Sequence, residues 1–242
     1  MHIQRGAWAE INLDAIAHNV QMAKANLKPT TKLCAVVKAD AYGHGAVRVA
    51  QEAARNGADF FAVALLQEGV KLREAGIETP ILVLGSMLPE VAEICVRYDI
   101  SHAVFDEERL YALNAAALKL HTKAKIHIKI DTGMHRIGVH VRDAGRFAKL
   151  AASLPGIYIE GVFSHFATAD ADDKQYAAYQ FERFQEALRL IEAEGVHIPI
   201  RHIANSAALT ELQEYQLDMV RQGITLYGLH PAHMIDCYKD FE

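Results

Sequence analysis

Short apolar runs alternate with longer amphipathic segments along almost the whole chain, and this alternation constrains the fold more than any other sequence feature. The amphipathic segments place apolar side chains three and four residues apart, as Phe181, Phe184 and Leu188 show. Eight runs have the length of a strand, at residues 33–37, 60–65, 81–84, 103–105, 126–130, 157–163, 200–204 and 220–226. Eight such alternations predict an α/β fold of the (β/α)8, TIM-barrel type.

The length of the chain agrees with one barrel domain, since such a barrel typically needs about 250 residues and this chain has 242. We assign residues 1–12 to a leading strand, 13–230 to the barrel and 231–242 to a tail or linker. The amphipathic segment from Leu13 precedes the first strand and is predicted to fill the eighth helix position. A doubly wound open sheet is the alternative, but no Gly-x-Gly-x-x-Gly turn follows the first strand.

Composition argues against several classes of function. The net charge of −5, with no basic run, opposes nucleic-acid binding, which needs a cationic surface. No stretch approaches about 18 apolar residues, and no apolar leader follows Met1, so we expect neither a membrane span nor secretion. The spacing of Cys34, Cys95 and Cys237 fits neither a disulfide framework nor a zinc site, so we expect reduced thiols in a cytoplasmic protein.

The first strand ends at Lys38, and functional residues of such barrels lie at the carboxyl ends of the strands. A lysine that leaves an apolar strand into the barrel mouth is partly desolvated. Desolvation lowers its pKa and favours the neutral amine that reacts with carbonyl groups. A salt bridge between Lys38 and Asp40 is the structural alternative.

The fifth strand alternates between aliphatic and polar residues, and its polar face, with His127, Lys129 and Asp131, is predicted to point inward. A buried unpaired charge is costly, so an internal Lys129–Asp131 pair is one expectation. The loop that follows carries Arg136, whose planar guanidinium suits a substrate carboxylate or a cofactor oxygen.

The last three strands end in further polar residues. His165 suits stacking or proton transfer, while Ser206 and Gly223 suit a phosphate, which barrels often bind after strands seven and eight. Each residue also has an ordinary explanation, such as a structural histidine or a helix cap. Arg221 lies just before Gly223. Together, a lysine, a phosphate cradle, the two arginines Arg136 and Arg221 and a histidine at one barrel mouth match the needs of a phosphorylated aldehyde cofactor.

Several segments resemble the N-terminal barrel of bacterial alanine racemases of fold type III. Residues 36–45, Val-Val-Lys-Ala-Asp-Ala-Tyr-Gly-His-Gly, closely resemble the cofactor-lysine signature of that family. Other matches, in order and spacing, are residues 7–19, 129–138, 164–170, 205–206 and 221–228. The resemblance covers essentially the whole chain. It implies a pyridoxal 5'-phosphate-dependent isomerase that interconverts L- and D-alanine by two-base proton transfer at the α-carbon and supplies D-amino acids to the bacterial cell wall.

The resemblance also implies roles for single residues. Lys38 would hold the cofactor covalently and act as one of the two bases. Arg136 would contact the cofactor phenolic oxygen and the substrate carboxylate, and Lys129 resembles a position that the family carbamylates. The other implied cofactor-binding residues are Tyr42, Ser206, Gly223 and Ile224 at the phosphate, Arg221 at the pyridine nitrogen, His165 against the cofactor and linked to Arg221, and Asn205 in the same polar network.

The family also has a second, β-rich domain, which supplies the tyrosine base of the opposite face, usually from the partner subunit of a homodimer. We therefore expect the 242-residue chain alone to bind the cofactor but to show little or no racemase activity. His135 stands where we expect glycine and would shift Arg136 or change substrate size. Two alternatives stay open: a single-domain pyridoxal-phosphate-binding barrel without racemase activity, and a metal-dependent barrel hydrolase that uses a carbamylated Lys129.

Overall fold

A computed structural model describes residues 8–231 and 239–242, and a barrel of eight parallel strands forms its centre. The described residues contain nine strands, of which eight form the barrel: β1 Lys32–Val36, β2 Phe60–Val63, β3 Ile81–Val83, β4 Ser101–Val104, β5 Ala124–Asp131, β6 Val139–His140, β7 Ile157–Phe163, β8 Ile200–His202 and β9 Met219–Gln222. Their order is β8-β7-β5-β4-β3-β2-β1-β9, and the short β6 pairs with β5 outside this path. This arrangement confirms the predicted (β/α)8 fold.

Eight right-handed α-helices in the described residues surround the strands. They are α1 Leu13–Ala25, α2 Ala46–Arg55, α3 Leu66–Glu74, α4 Ala92–Arg97, α5 Glu107–Lys119, α6 Ala144–Ser153, α7 Gln175–Ala193 and α8 Ser206–Glu211. No helix in this part of the chain is long and apolar enough to cross a bilayer.

The barrel closes where β8 meets β9. Backbone hydrogen bonds of 3.1 Å join Asp218 N–H to Arg201 C=O and Arg221 N–H to Ala204 C=O across this seam. The Arg201 Nε atom also lies 2.6 Å from Asp218 Oδ2. Beside the seam, α1 packs against α2 and the 3₁₀ turn Ile224–Tyr227, so it occupies the eighth helix position as predicted.

Successive side chains of a strand point to opposite faces of the barrel wall, and two separate apolar regions result. Ile126, Ile128 and Ile130 of β5 face the helices and belong to the main core. A smaller cluster fills the barrel interior; it comprises Cys34, Val36, Phe60, Ala62, Leu82, Ile200 and Met219. His127 and Lys129 are buried on the inner side of β5, as the alternation predicted.

The boundaries differ from the prediction at both ends of the barrel. The predicted leading strand is wrong over residues 8–12, which are irregular, while Asn12 Oδ1 caps α1 by accepting from Asp14 N–H and Ala15 N–H. The last strand ends at Gln222 rather than residue 226, because a 3₁₀ turn begins at Ile224. Residues 1–7, and 232–238 with Cys237, lie outside the described part.

Candidate active site

A cavity of about 590 Å³ opens at the carboxyl ends of the barrel strands. It is lined by all ten residues that the sequence singled out: Lys38, Tyr42, Lys129, Arg136, His165, Asn205, Ser206, Arg221, Gly223 and Ile224. The sequence did not single out Ser86, Met134 and Asp170, which also line it. A volume of this size suits a small cofactor and an amino acid together.

A left-handed turn carries Lys38 and Tyr42 into the cavity. The four residues from Ala39 to Tyr42 have φ between 52° and 56°, a conformation that costs non-glycine residues roughly 1–2 kcal/mol each. The Asp40 carboxylate holds the turn by accepting from Ala46 N–H at 3.0 Å and from Lys71 Nζ at 3.2 Å. Asp40 therefore pairs with Lys71 and not with Lys38, whose Nζ lies 5.7 Å from the centre of the Tyr42 ring.

Three groups surround a small polar space at one side of the cavity. The Gly223 N–H donates to Ser206 Oγ at 2.8 Å. A Cβ atom on Gly223 would lie 3.4 Å from the Tyr42 hydroxyl and 3.5 Å from Ser206 Oγ, so the missing side chain leaves room between the two hydroxyls. Burial raises the pKa of Tyr42, which keeps this hydroxyl protonated and able to donate. The space therefore suits an anionic oxygen group such as phosphate.

Asn205 supports this side of the cavity. Its Oδ1 accepts from Ala208 N–H at 3.1 Å and so caps α8, which fixes the position of Ser206 at the start of that helix.

Arg221 is buried beneath the centre of the cavity. Its guanidinium donates to Ser164 C=O at 2.8 Å, Ile203 C=O at 3.1 Å and His165 Nδ1 at 3.0 Å. Burial lowers the pKa of Arg221 to about 10, so the group remains a cation at neutral pH. Burial and the charge of Arg221 lower the pKa of His165 well below its ordinary value, so His165 is neutral and its Nδ1 accepts. The predicted link between the two residues is thus present.

Lys129 is buried inside the barrel, where Nζ donates to Ile130 C=O at 2.7 Å. Burial, together with the charges of Arg221 and Arg136, lowers its pKa to about 7, although the charge of Asp131 partly opposes this shift. The Asp131 carboxylate accepts instead from the backbone N–H groups of Gly133 and His135. The expected Lys129–Asp131 pair is therefore not formed, and Lys129 has the neutral fraction that carbamylation requires.

The loop after β5 brings Arg136 to the rim of the cavity, where its side chain is exposed. His135 beside it has φ 55°, in the left-handed region that favours glycine. Its backbone N–H and its Nδ1 lie 3.0 Å and 3.2 Å from the two Asp131 carboxylate oxygens. Asp131 therefore stabilises the strained residue next to Arg136.

Two polar residues that lie below the cavity, His202 and Glu160, were not identified from the sequence. His202 could have been found, because it alternates inward with Ile200 on β8. Glu160 could not, because β7 has a bulge there that changes the alternation. No group of three or more His, Cys, Asp or Glu side chains suited to a metal ion occurs within residues 8–231 and 239–242.

Comparison with known proteins identifies the family. The model of the alanine racemase N-terminal domain matches residues 11–231. The chain belongs to the alanine racemase family. Among curated members, it is 47% identical to the alanine racemase of Desulfovibrio desulfuricans over 94% of this chain and 62% of that protein. It is 46% identical to that of Halothermothrix orenii over 95% of this chain and 61% of that protein.

Solved family structures have the same barrel. Clostridium difficile alanine racemase in complex with cycloserine superposes with a TM-score of 0.94 at 39% identity, over 98% of this chain and 66% of that one. Bacillus anthracis alanine racemase with bound L-Ala-P gives 0.91 at 38% identity, over 97% of this chain and 61% of that one. The chain thus spans less than two thirds of the length of these family members.

Proposed function

We propose that this chain is the cofactor-binding barrel of a pyridoxal 5'-phosphate-dependent alanine racemase. One observation carries the proposal: Lys38, the Tyr42–Ser206–Gly223 cradle and Arg221 all line one cavity. An amine for an aldehyde, hydroxyls for a phosphate and a cation for a ring nitrogen are the three groups that this cofactor needs. The cradle is the feature that fits the cofactor most specifically, because a side chain on Gly223 would fill it.

When bound, pyridoxal phosphate supplies an electron-withdrawing ring that makes the α-proton of an amino acid more acidic. In this proposal, Tyr42, Ser206, Gly223 and Ile224 bind the phosphate, and Asn205 keeps Ser206 in place. His165 would lie against the ring of the bound cofactor.

Arg221 would donate a hydrogen bond to the ring nitrogen of the bound cofactor and would keep its own proton, since a guanidinium stays protonated in proteins. A cofactor held in this way would supply a less strongly electron-withdrawing ring than a pyridinium, which would favour return of the proton to the α-carbon over side reactions.

The amine of Lys38 moves the proton on one face of the α-carbon. Arg136 binds the substrate carboxylate with its planar guanidinium. Lys129, when carbamylated, becomes an anion that orients Arg136; its burial and lowered pKa support this step.

The second base is assigned by family resemblance to a β-rich domain and to the partner subunit. We therefore propose that residues 1–242 alone retain the cofactor but racemise alanine slowly or not at all, and that the complete protein works as a homodimer. Its product would be D-alanine for the cell wall.

The test is the absorbance spectrum of the chain with pyridoxal phosphate, followed by borohydride reduction and peptide mass spectrometry. We expect a visible band and a reduced cofactor on Lys38. Lys38→Ala should lose both, whereas Lys149→Ala, on the outer helix α6, should keep both. Covalent labelling that survives in Lys38→Ala would contradict the proposal. Covalent binding without D-alanine formation in a longer dimeric protein would favour the single-domain binding barrel instead.

A further inference from the structure

A continuous chain of buried hydrogen bonds leads from Arg221 away from the cavity. Arg221 Nη1 lies 2.7 Å from His202 Nδ1, and His202 Nε2 lies 2.8 Å from His127 Nδ1. His127 Nε2 lies 3.0 Å from Glu160 Oε2, which also accepts from the Ser101 hydroxyl. Both histidines are fully buried, and the Glu160 side chain is 13% exposed.

The two ends of this chain fix the proton on each ring. Arg221 can only donate, so His202 Nδ1 accepts and the His202 proton is on Nε2. His127 Nδ1 must then accept from His202, so the His127 proton is on Nε2 and is donated to Glu160. A second proton on His202 would point an N–H donor at the Arg221 donor. A second proton on His127 would point an N–H donor at the Nε2–H donor of His202. Both histidines are therefore neutral, and every bond is donated in the direction of Glu160.

The local backbone is built to accommodate this chain. Ile126 pairs with Ile159 but His127 pairs with Gly161, so Glu160 is the extra residue of a β-bulge. A Cβ atom on Gly161 would lie 2.5 Å from His127 Nδ1, so only glycine leaves room for this ring. Phe163 stacks on His202 with ring centres 4.9 Å apart and planes within 5°, which fixes the second ring.

The chain of hydrogen bonds also connects two opposite charges, those of Arg221 and Glu160. Arg221 is a buried cation that contacts carbonyl oxygens and neutral histidines, and no carboxylate within the described residues forms an ion pair with it. Burial raises the pKa of Glu160, but its hydrogen-bonding and electrostatic interaction with His127, the hydrogen bond from Ser101 and the charge of Lys125 outweigh this, so the pKa is lowered and the group is an anion. A buried charge needs such compensation.

We propose that Glu160 is a positioning residue that acts through His127 and His202 as the counter-ion of Arg221 and sets the orientation of its guanidinium in the cavity. With Nη1 committed to His202 and Nη2 to Ser164, Ile203 and His165, the guanidinium presents its remaining N–H donors in one orientation. The effect on the cofactor rests on the proposed function; the hydrogen-bond chain itself does not.

The first measurement uses the wild-type protein without cofactor. Variants are needed only to assign the NMR signals. The ¹⁵N NMR signals of the histidine rings, assigned with His127→Gln and His202→Asn, should show His127 and His202 protonated at Nε2 only at neutral pH. A proton on Nδ1 of either ring in the wild-type protein would overturn the proposal. This result does not depend on whether pyridoxal phosphate binds.

The second measurement uses pyridoxal phosphate labelled with ¹⁵N in its ring. Glu160→Gln removes the charge but can still accept from His127, and it should shift the ring-nitrogen resonance in the same direction as Arg221→Lys. Glu160→Asp, which restores the charge, should bring the resonance back toward the wild-type position. Glu186→Gln, at a half-exposed pair with Arg183, should leave it unchanged. An unchanged resonance in a cofactor-bound Glu160→Gln protein would refute the positioning role. Failure of the wild-type chain to bind the cofactor would instead count against the proposed function.

Discussion

The backbone N–H of Gly223 donates to the hydroxyl of Ser206 at 2.8 Å, and this bond joins β9 to the start of α8 at the edge of the cavity. The Tyr42 hydroxyl lies 3.4 Å from the position that a Cβ atom on Gly223 would take. Three chain segments that are far apart in sequence thus enclose one space for an anion.

Gly223→Ala should fold normally but bind pyridoxal phosphate weakly. Its methyl group would make only ordinary contacts with Tyr42 and Ser206, yet it would occupy the space between them. Loss of one hydrogen bond to a charged group weakens binding by about tenfold to a hundredfold. A cofactor titration followed by absorbance, with thermal denaturation to check the fold, measures this. Pyridoxal, which lacks the phosphate, is the control and should lose less affinity. Equal losses for the two ligands would contradict the assignment of the cradle.

Ala39→Gly should leave the protein as stable as before or stabilise it by up to about 1.5 kcal/mol. Ala39 is exposed with φ 52°, so glycine removes a left-handed penalty of roughly 1–2 kcal/mol and costs about 0.5–1 kcal/mol in chain entropy. Ala115→Gly, exposed within the right-handed helix α5, should destabilise by about 0.5–1 kcal/mol. Urea denaturation compares the two variants. Similar destabilisation in both would mean that the turn is not left-handed in solution.

The burial of Lys129 should make stability depend on pH. Its pKa is lowered to about 7 in the folded protein from 10.5, so the unfolded chain binds more protons between these two values. The free energy of unfolding of the wild type, relative to Lys129→Met, should therefore rise as pH increases from about 7 to 10.5, while below pH 7 the full penalty is present.

Denaturation of the wild type and Lys129→Met across this range checks the prediction. The buffers must be free of carbon dioxide, because carbamylation would turn the amine into an anion. Parallel pH profiles for the two proteins would show that Lys129 is not desolvated.

Replacements of His135 should separate backbone strain from side-chain bonding. His135→Gly relieves the strain at φ 55° but loses the contact with the Asp131 carboxylate, so we expect a change in unfolding free energy below about 1 kcal/mol. His135→Val should destabilise by about 1–3 kcal/mol, because a β-branched residue is strongly disfavoured there. If both variants unfold at the same urea concentration, the left-handed conformation at this position is incorrect.

The sequence located the cavity residues well, because barrel topology brings the carboxyl ends of all strands to one rim. Lys38, His165 and Arg221 are far apart in the chain, yet Lys38 and His165 follow apolar runs and Arg221 lies within one. Pairings between side chains were harder to predict. Lys38–Asp40 and Lys129–Asp131 were reasonable from spacing, but Asp40 bonds to Lys71 and Asp131 to its own loop.

Periodicity by itself predicted the barrel, the inward polar face of β5 and the strand ends that form the barrel mouth, since side-chain burial follows a period of two in strands and near three and a half in helices. The choice of Tyr42, Asn205 and Ile224 among the residues at the mouth came from the family resemblance instead. Tertiary structure decided the rest. The left-handed turn at Ala39 goes against the backbone preference of alanine, and the bulge at Glu160 interrupts the alternation of β7. The sequence pattern therefore predicts neither of them. They persist because surrounding hydrogen bonds offset their cost: Asp40 bonds to Ala46 and Lys71 beside the turn, and Glu160 bonds to His127 and Ser101 within the barrel.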